Sequence, residues 1–344
     1  MIYSASATAR YSGDMAEDLL PHIASHAREV DLQVQETEGS LVVTLPHARV
    51  AFEREQTVMQ VRIDAADAVN LHNIREYVLY ILDHVSPGIA AEAVWEGDIT
   101  HSSTPPSFTT ATVEKIWRVA PSFLRIEMSC ADTRRLAEGK GMHFSLLLPP
   151  DETAPIWPQL DENGRTVWPK GKDALHRAVY TFVSLDEDEG RFTFDLFEHE
   201  GGRATGWAQT ARPGEVVGIM GPGSGDFPPG RDLLIAGDET ALPAIRRILS
   251  HSAPDRQGRV LLEVESARDI CDLPHPDAME ITWVLREKGS ELWDHLENTD
   301  LPASQDRYVW VAAEKELVRK AKKRFRDQLG LCHDRGYFAY YWAS

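Results

Sequence analysis

Three short segments combine side chains able to hold a flat, phosphate-bearing group. His176-Arg177-Ala178-Val179-Tyr180-Thr181 places a cation and an aromatic ring on one predicted strand. Such a ring can lie against a planar heterocycle, and a guanidinium can face phosphates. The same pair is also ordinary sheet surface. His199-Glu200-Gly201-Gly202-Arg203-Ala204-Thr205-Gly206-Trp207-Ala208 follows another predicted strand. Its small residues let backbone N–H groups approach an anion, and Thr205 is placed to cap a following helix, whose N-terminus attracts negative charge. An ordinary turn into a helix capped by Thr205 accounts for the same residues. The third segment, Leu233-Leu234-Ile235-Ala236-Gly237-Asp238-Glu239-Thr240-Ala241-Leu242-Pro243-Ala244-Ile245, reads as strand, tight acidic turn and helix. Parallel α/β sheets bind ligands in the crevice at such a strand's carboxyl end. It contains no Gly-x-Gly-x-x-Gly, so a self-contained dinucleotide fold of that kind is not indicated.

The elements that must position these segments change character along the chain. In residues 1–95, Met15, Leu19, Leu20, Ile23 and Ala27 recur at helical spacing. Alternating strands follow at 32–35, 41–45, 50–52 and 58–63, and a second helix capped by Asp67 runs to about His84. Two helices on a four-strand sheet make a small α/β domain. Pro- and Ser-rich residues up to Pro106 mark a boundary. Residues 106–228 then give short strands at 112–119, 123–129, 143–148, 178–183, 191–197 and 215–220, a pattern that suggests an antiparallel barrel. A Pro- and Trp-rich stretch, 151–173, reads as a surface loop between two of them. From 229 to 344, apolar strands at 232–237, 260–264, 281–285 and 308–312 alternate with helical stretches, as in a parallel α/β domain.

Composition narrows the partners. The 344 residues are 42% hydrophobic and 26% charged, which fits a folded multidomain chain. The net charge of −18 disfavours nucleic acid and anionic membranes. Residues 1–100 hold sixteen acidic residues, six arginines and no lysine, a local net charge of −10. No apolar run is long enough for a membrane helix and no secretory leader is visible, so a cytoplasmic protein without membrane insertion is expected. Cys130, Cys271 and Cys332 lie far apart, against a disulfide framework or iron–sulfur cluster. His22 and His26 have a metal-compatible spacing that more often belongs to a solvated helix face. The basic stripe from Lys315 to Arg326 reads as a solvated helix face, or as an attraction for an anionic ligand.

Taken in order, the three segments resemble the siderophore-interacting protein family, FAD-dependent ferric-siderophore reductases related to ferredoxin reductases. The family pattern has Arg-x-Tyr-Thr-x-Arg, then His-Gly-x-x-Gly-Pro-Ala-Ser-x-Trp-Ala, then Gly-Asp-Glu-Thr-Ala-Leu-Pro-Ala-Ile. Gly237 to Ile245 matches the last throughout, and Tyr308 to Glu314 is similar to the family's late strand. The likeness covers about residues 106–344, and residues 1–95 resemble a small domain sometimes fused to the family. Departures are visible. Arg177 stands three residues before Tyr180 rather than two, so a bulge is needed to bring both to one face. Phe182 or Val183 replaces the second Arg, Arg203 replaces the Pro, and the chain's last motif is Tyr340-Tyr341-Trp342-Ala343.

The resemblance implies a ferredoxin-reductase-like β-barrel that binds FAD and a C-terminal parallel α/β domain of the NAD(P)-binding kind. It implies Tyr180 against the flavin ring and Gly202, Arg203, Ala204 and Thr205 at the pyrophosphate. Arg177, Thr181, His199, Trp207, Asp238, Glu239, Thr240 and Ala241 complete the cofactor site, with no general acid, general base or metal ligand. The resemblance further implies NADH, NADPH or a ferredoxin as electron donor and a ferric siderophore as acceptor, and Arg118, Lys170, Lys172 and Arg177 are candidate contacts by their place in the barrel half of the sequence. Two alternatives share these motifs, a flavin reductase with another acceptor and a siderophore-binding module without catalysis.

Overall fold

The computed structural model describes residues 2–29, 32–85, 88–89, 94–100, 102–139, 141–150, 154–223 and 225–343. The chain divides into two units, residues 1–108 with 149–175, and residues 109–148 with 176–344.

Among the described residues the first unit is built on six antiparallel strands. These are β1 (Ala5–Ser12), β2 (Gln33–Thr37), β3 (Ser40–Leu45), β4 (Ala48–Glu55), β5 (Val58–Ala65) and β6 (Val94–Gly97), in the order β2-β3-β4-β5-β1-β6. The sequence reading of four strands is corrected by β1 and β6. In β1 the inward positions are Ala5, Ala7, Ala9 and Tyr11. Alanine alternation is a weak hydrophobic signal, though it suits a strand in the middle of a sheet under helices. Helix α1 (Leu19–Glu29) therefore starts later than its periodicity suggested and buries Leu19, Leu20, Ile23, Ala24 and Ala27. Helix α2 (Ala68–Val85) is capped as expected, the Asn70 N–H donating to Asp67 Oδ1 at 2.8 Å.

The segment 149–175 was expected as a loop of the barrel region, but its chain packs in the first unit. Its hairpin, β10 (Gln159–Leu160) with β11 (Thr166–Val167), is tied to α2 by buried polar groups. Arg75, 2% exposed, donates to the Gly164 carbonyl, and His72 Nε2 meets Thr166 Oγ1 at 3.0 Å. The Thr166 N–H donates to Glu76 at 3.3 Å.

In the second unit, β7 (Phe108–Ala120), β8 (Phe123–Ser129), β9 (His143–Leu148), β12 (His176–Asp186), β13 (Arg191–Phe197) and β14 (Val216–Met220) close a barrel in the order β12-β13-β8-β7-β14-β9. Inward positions alternate along each strand. Phe144, Phe182, Phe192 and Phe194 meet at the centre, with Phe144 and Phe182 stacked at 4.4 Å. Short helices α3 (Thr133–Glu138) and α4 (Arg203–Thr210) flank the barrel.

Beyond residue 230, the described residues form five parallel strands. β15 (Asp232–Gly237), β16 (Gln257–Val264), β17 (Ala278–Leu285), β18 (Arg307–Glu314) and β19 (Gly336–Trp342) run in the order β17-β16-β15-β18-β19. Helices α5 (Leu242–Ser250), α6 (Leu292–Leu296) and α7 (Lys315–Lys322) cover the sheet. Every residue of β15 is buried, as expected for a central parallel strand. Strand β19 went unread in the sequence. Gly237 is required where β15 turns toward α5, because a Cβ there would lie 2.6 Å from Ala241 Cβ and 2.8 Å from the Ala312 carbonyl. Arg247 on α5 fastens sheet to barrel by donating to the Phe182 carbonyl at 2.9 Å. Ser122 adds a second tie, its N–H and hydroxyl reaching Asp269 at 3.0 and 3.1 Å.

Candidate functional site

Within the second unit a cavity of about 800 Å³ lies between barrel strands β9, β12 and β13 and the carboxyl ends of β15 and β19. A second cavity of about 430 Å³ adjoins it and shares Phe197, Glu239, Thr240 and Trp342.

The β12 wall is set by strand register. Pairing with β9 is unbroken from His176–Leu148 to Thr181–His143. Arg177, Val179 and Thr181 therefore share one face, and Ala178 and Tyr180 the other. The irregularity of β12 falls between Phe182 and Ser184, against β13, so no bulge brings Arg177 beside Tyr180. Tyr180 packs toward the barrel interior, its ring 5.1 Å from Phe194, and burial pushes its phenol well above the ordinary range. It still borders the cavity beside Thr181 and Val179, and Val179 is 67% exposed.

The turn after β13 reaches the cavity through His199. Helix α4 starts at Arg203 with Gly202 as its N-cap. Thr205 is therefore not the cap. It sits in the first turn, where its hydroxyl accepts from the His199 N–H at 3.3 Å. The first helical bond runs from the Gly206 N–H to the Gly202 carbonyl at 2.9 Å. The N–H groups of Arg203, Ala204 and Thr205 precede it and have no acceptor within the helix. A Cβ on Gly202 would reach 2.5 Å from the His199 ring and 3.0 Å from Thr205 Oγ1, so the cradle fits only glycine without rearrangement. Arg203 is exposed at this end of the helix. It adds to burial in lowering the nearby His176 imidazole. Ala204 and Ala208 pack on the barrel, and Trp207 anchors the helix by donating to Glu215 at 2.6 Å.

The acidic turn after β15 is largely occupied with itself. Asp238 Oδ1 accepts from the Thr240 N–H and hydroxyl at 2.9 and 2.5 Å. Its Oδ2 accepts from the Glu314 N–H at 3.1 Å and Trp342 Nε1 at 2.8 Å. Burial raises its carboxyl above the usual range, opposed by these bonds. Glu239 accepts from the Glu265 N–H at 2.7 Å and pairs with Arg286, which also holds Glu263 at 2.8 Å and Glu265 at 3.0 Å. Helix α5 is capped by Ala241, directly after the acidic turn. Thr240 and Glu239 border both cavities, whereas Asp238 and Ala241 shape the turn behind them.

Other cavity residues were not singled out from sequence. His143, 5% exposed, contacts Thr181 Oγ1 through Nδ1 at 2.9 Å and the Tyr341 hydroxyl through Nε2 at 3.0 Å. Asp195 is held by both arms of Arg125 at 2.6 and 2.8 Å. Tyr341 and Trp342 enter from β19. Sequence marked Tyr341 and Trp342 only as a departure from a motif, because their role depends on where the last strand, at the sheet edge beside β18, carries them. Of the other candidates, Arg118 pairs with Glu198, and Lys170 and Lys172 fall in the first unit. On α7, Val318 and Ala321 are buried while Lys315, Arg319 and Lys320 face outward.

A closed antiparallel barrel followed by a parallel sheet, with a cavity between them, is a ferredoxin-reductase-like arrangement. Residues 112–226 match the siderophore-interacting FAD-binding domain and residues 230–344 the siderophore-interacting protein domain, and the chain belongs to the siderophore-interacting protein family. It is similar to the NADPH-dependent ferric-chelate reductase of Escherichia coli, 30% identical over 64% of this chain and 87% of that one. It is also similar to the ferric vibriobactin reductase of Vibrio cholerae, 29% identical over 65% of this chain and 85% of that one. The crystal structure of a siderophore utilization protein from T. fusca superposes with a TM-score of 0.62 at 25% identity, covering 71% and 95% of the two chains. The residues present suit FAD. The cavity is large enough for a tricyclic ring, and the Gly202 cradle offers N–H donors to a diphosphate.

Proposed function

We propose that the cavity binds FAD and that the protein reduces ferric iron in a siderophore, releasing Fe(II). The observation that carries this reading is a cavity whose β12 wall at Val179, Tyr180 and Thr181 meets His199, the residue against which the Gly202 cradle at the α4 N-terminus is packed. Thr181 and Val179 face the ring, and Tyr180 supports that wall from the barrel side. Arg203, Ala204 and Thr205 present their N–H groups to the diphosphate, with His199 and the Arg203 side chain beside it. Arg177 brings a further cation to the Thr181 face of the strand. Trp207 fixes the helix, and Asp238, Glu239, Thr240 and Ala241 fix the turn that closes the sheet side.

FAD supplies uptake of an electron pair and delivery of single electrons, which suits a one-electron metal acceptor. The side chains bind, orient and exclude water. Fe(II), with its lower charge, holds hard oxygen ligands less tightly than Fe(III), so reduction loosens the complex. The donor, a nicotinamide nucleotide or a ferredoxin, approaches by way of the second cavity at the carboxyl ends of the parallel strands.

The test starts with the purified chain, mixed with FAD and freed of unbound flavin. A retained band near ~450 nm is expected. Under anaerobic conditions, NADH, NADPH and reduced ferredoxin are then compared as donors to a ferric siderophore, with Fe(II) trapped by a chromogenic chelator. Loss of all flavin on gel filtration defeats the reading. Retained flavin with no Fe(II) from any donor defeats the assignment of substrate alone.

A further inference from the structure

Three side chains bordering the large cavity form one hydrogen-bonded series that joins barrel to sheet. Thr181 on β12 meets His143 on β9 at 2.9 Å, and His143 meets Tyr341 on β19 at 3.0 Å. Thr181 and His143 are 4% and 5% exposed, so water competes weakly for their bonds. Burial, aided by the Arg247 guanidinium, holds the imidazole neutral down to about pH 4.

A neutral imidazole carries one N–H and one bare nitrogen, and each flanking hydroxyl can donate or accept. Two arrangements therefore satisfy the series with every heavy atom in place. In one, Thr181 donates into Nδ1 and the Nε2–H donates to Tyr341. In the other, Tyr341 donates into Nε2 and the Nδ1–H donates to Thr181, leaving the Thr181 hydrogen to point into the cavity. The first presents Thr181 to the cavity as an acceptor and the second presents it as a donor.

A cofactor ring that gains a proton on reduction exchanges a bare nitrogen for an N–H, so its neighbour must reverse role. We propose that His143 is a positioning residue that exchanges tautomers between Thr181 and Tyr341, offering Thr181 as donor to the oxidised cofactor and as acceptor to the reduced one. The inference rests on the FAD reading above.

Tyr341→Phe removes one hydroxyl while keeping the ring. The imidazole then leaves Nε2 bare rather than bury an unmet N–H, and Thr181 is fixed as donor. FAD-loaded Tyr341→Phe is expected to hold the oxidised cofactor within about 2-fold of wild type and the reduced form roughly 10-fold more weakly, a loss of about one hydrogen bond. That ratio lowers the two-electron midpoint by about 30 mV, read by spectroelectrochemical titration. Nitrogen-15 shifts of the His143 ring in the wild-type protein supply a second readout, independent of how the variant folds. The ring proton is expected on Nδ1 in the oxidised protein and on Nε2 in the reduced one. An unchanged midpoint in a flavin-loaded variant, or one tautomer in both states, overturns the relay and leaves the FAD reading standing. Wild-type protein that retains no flavin overturns both.

Discussion

His72 and His143 titrate near pH 4 in the folded chain, well under the ordinary 6.5, because burial disfavours the imidazolium and Arg75 or Arg247 lies close by. The unfolded chain takes up both protons as pH falls from about 6.5 to about 4, and the folded chain does not. Stability therefore drops across that window, by up to on the order of 3 kcal/mol for each ring. Glu76, raised by burial, works in the opposite direction. Urea midpoints measured from pH 7 to pH 4 are expected to fall for the wild type and to fall less steeply for His72→Gln and His143→Gln. Curves parallel to wild type would show that the rings are solvated. Asp195 gives a second prediction at this scale, since it is 4% exposed and depends on the fork of Arg125. Arg125→Ala leaves a buried carboxylate without its main partner and should lower unfolding free energy by about 3 kcal/mol. Arg246, whose Nε stands 3.9 Å from Asp195, limits the loss.

The helix α4 and its glycine cap make the element-scale case. Gly202 has an extended backbone that alanine can also adopt, so Gly202→Ala should alter stability by less than about 1 kcal/mol. Its methyl group would press on the His199 ring and Thr205, disturbing the N–H cradle. FAD affinity, followed by fluorescence titration, is expected to weaken about 10-fold, or roughly 1.4 kcal/mol. Affinity equal to wild type would mean that the diphosphate sits elsewhere. Elements of this kind were the ones legible in the sequence. The barrel strands alternate strongly, and the turns at 199–208 and 237–241 carry their chemistry in adjacent residues. β1 escaped because alanines carry its alternation, and β19 because its aromatic run offered no clear period. The series Thr181–His143–Tyr341 was invisible for a different reason. It depends on the register of β9 against β12 and on where the last strand joins the sheet, which are nonlocal facts.

For the whole molecule, the division of the chain matters more than its count of domains. Residues 149–175, which link strands β9 and β12, complete the first unit through Arg75, His72 and Glu76 on α2. A chain beginning at residue 106 keeps the barrel sequence but removes the bed of that hairpin. Trypsin should then cut around Arg165, Lys170 and Lys172 at least roughly 10-fold faster than in the full chain. An unchanged cutting rate would show that the hairpin holds itself. The interleaving also bears on descent. A front domain joined at a simple boundary can be gained or lost in one genetic exchange, but this one shares its interior with a segment encoded inside the barrel. The two stretches must be inherited together, and relatives lacking the front should carry a shorter or differently composed link between the same two strands.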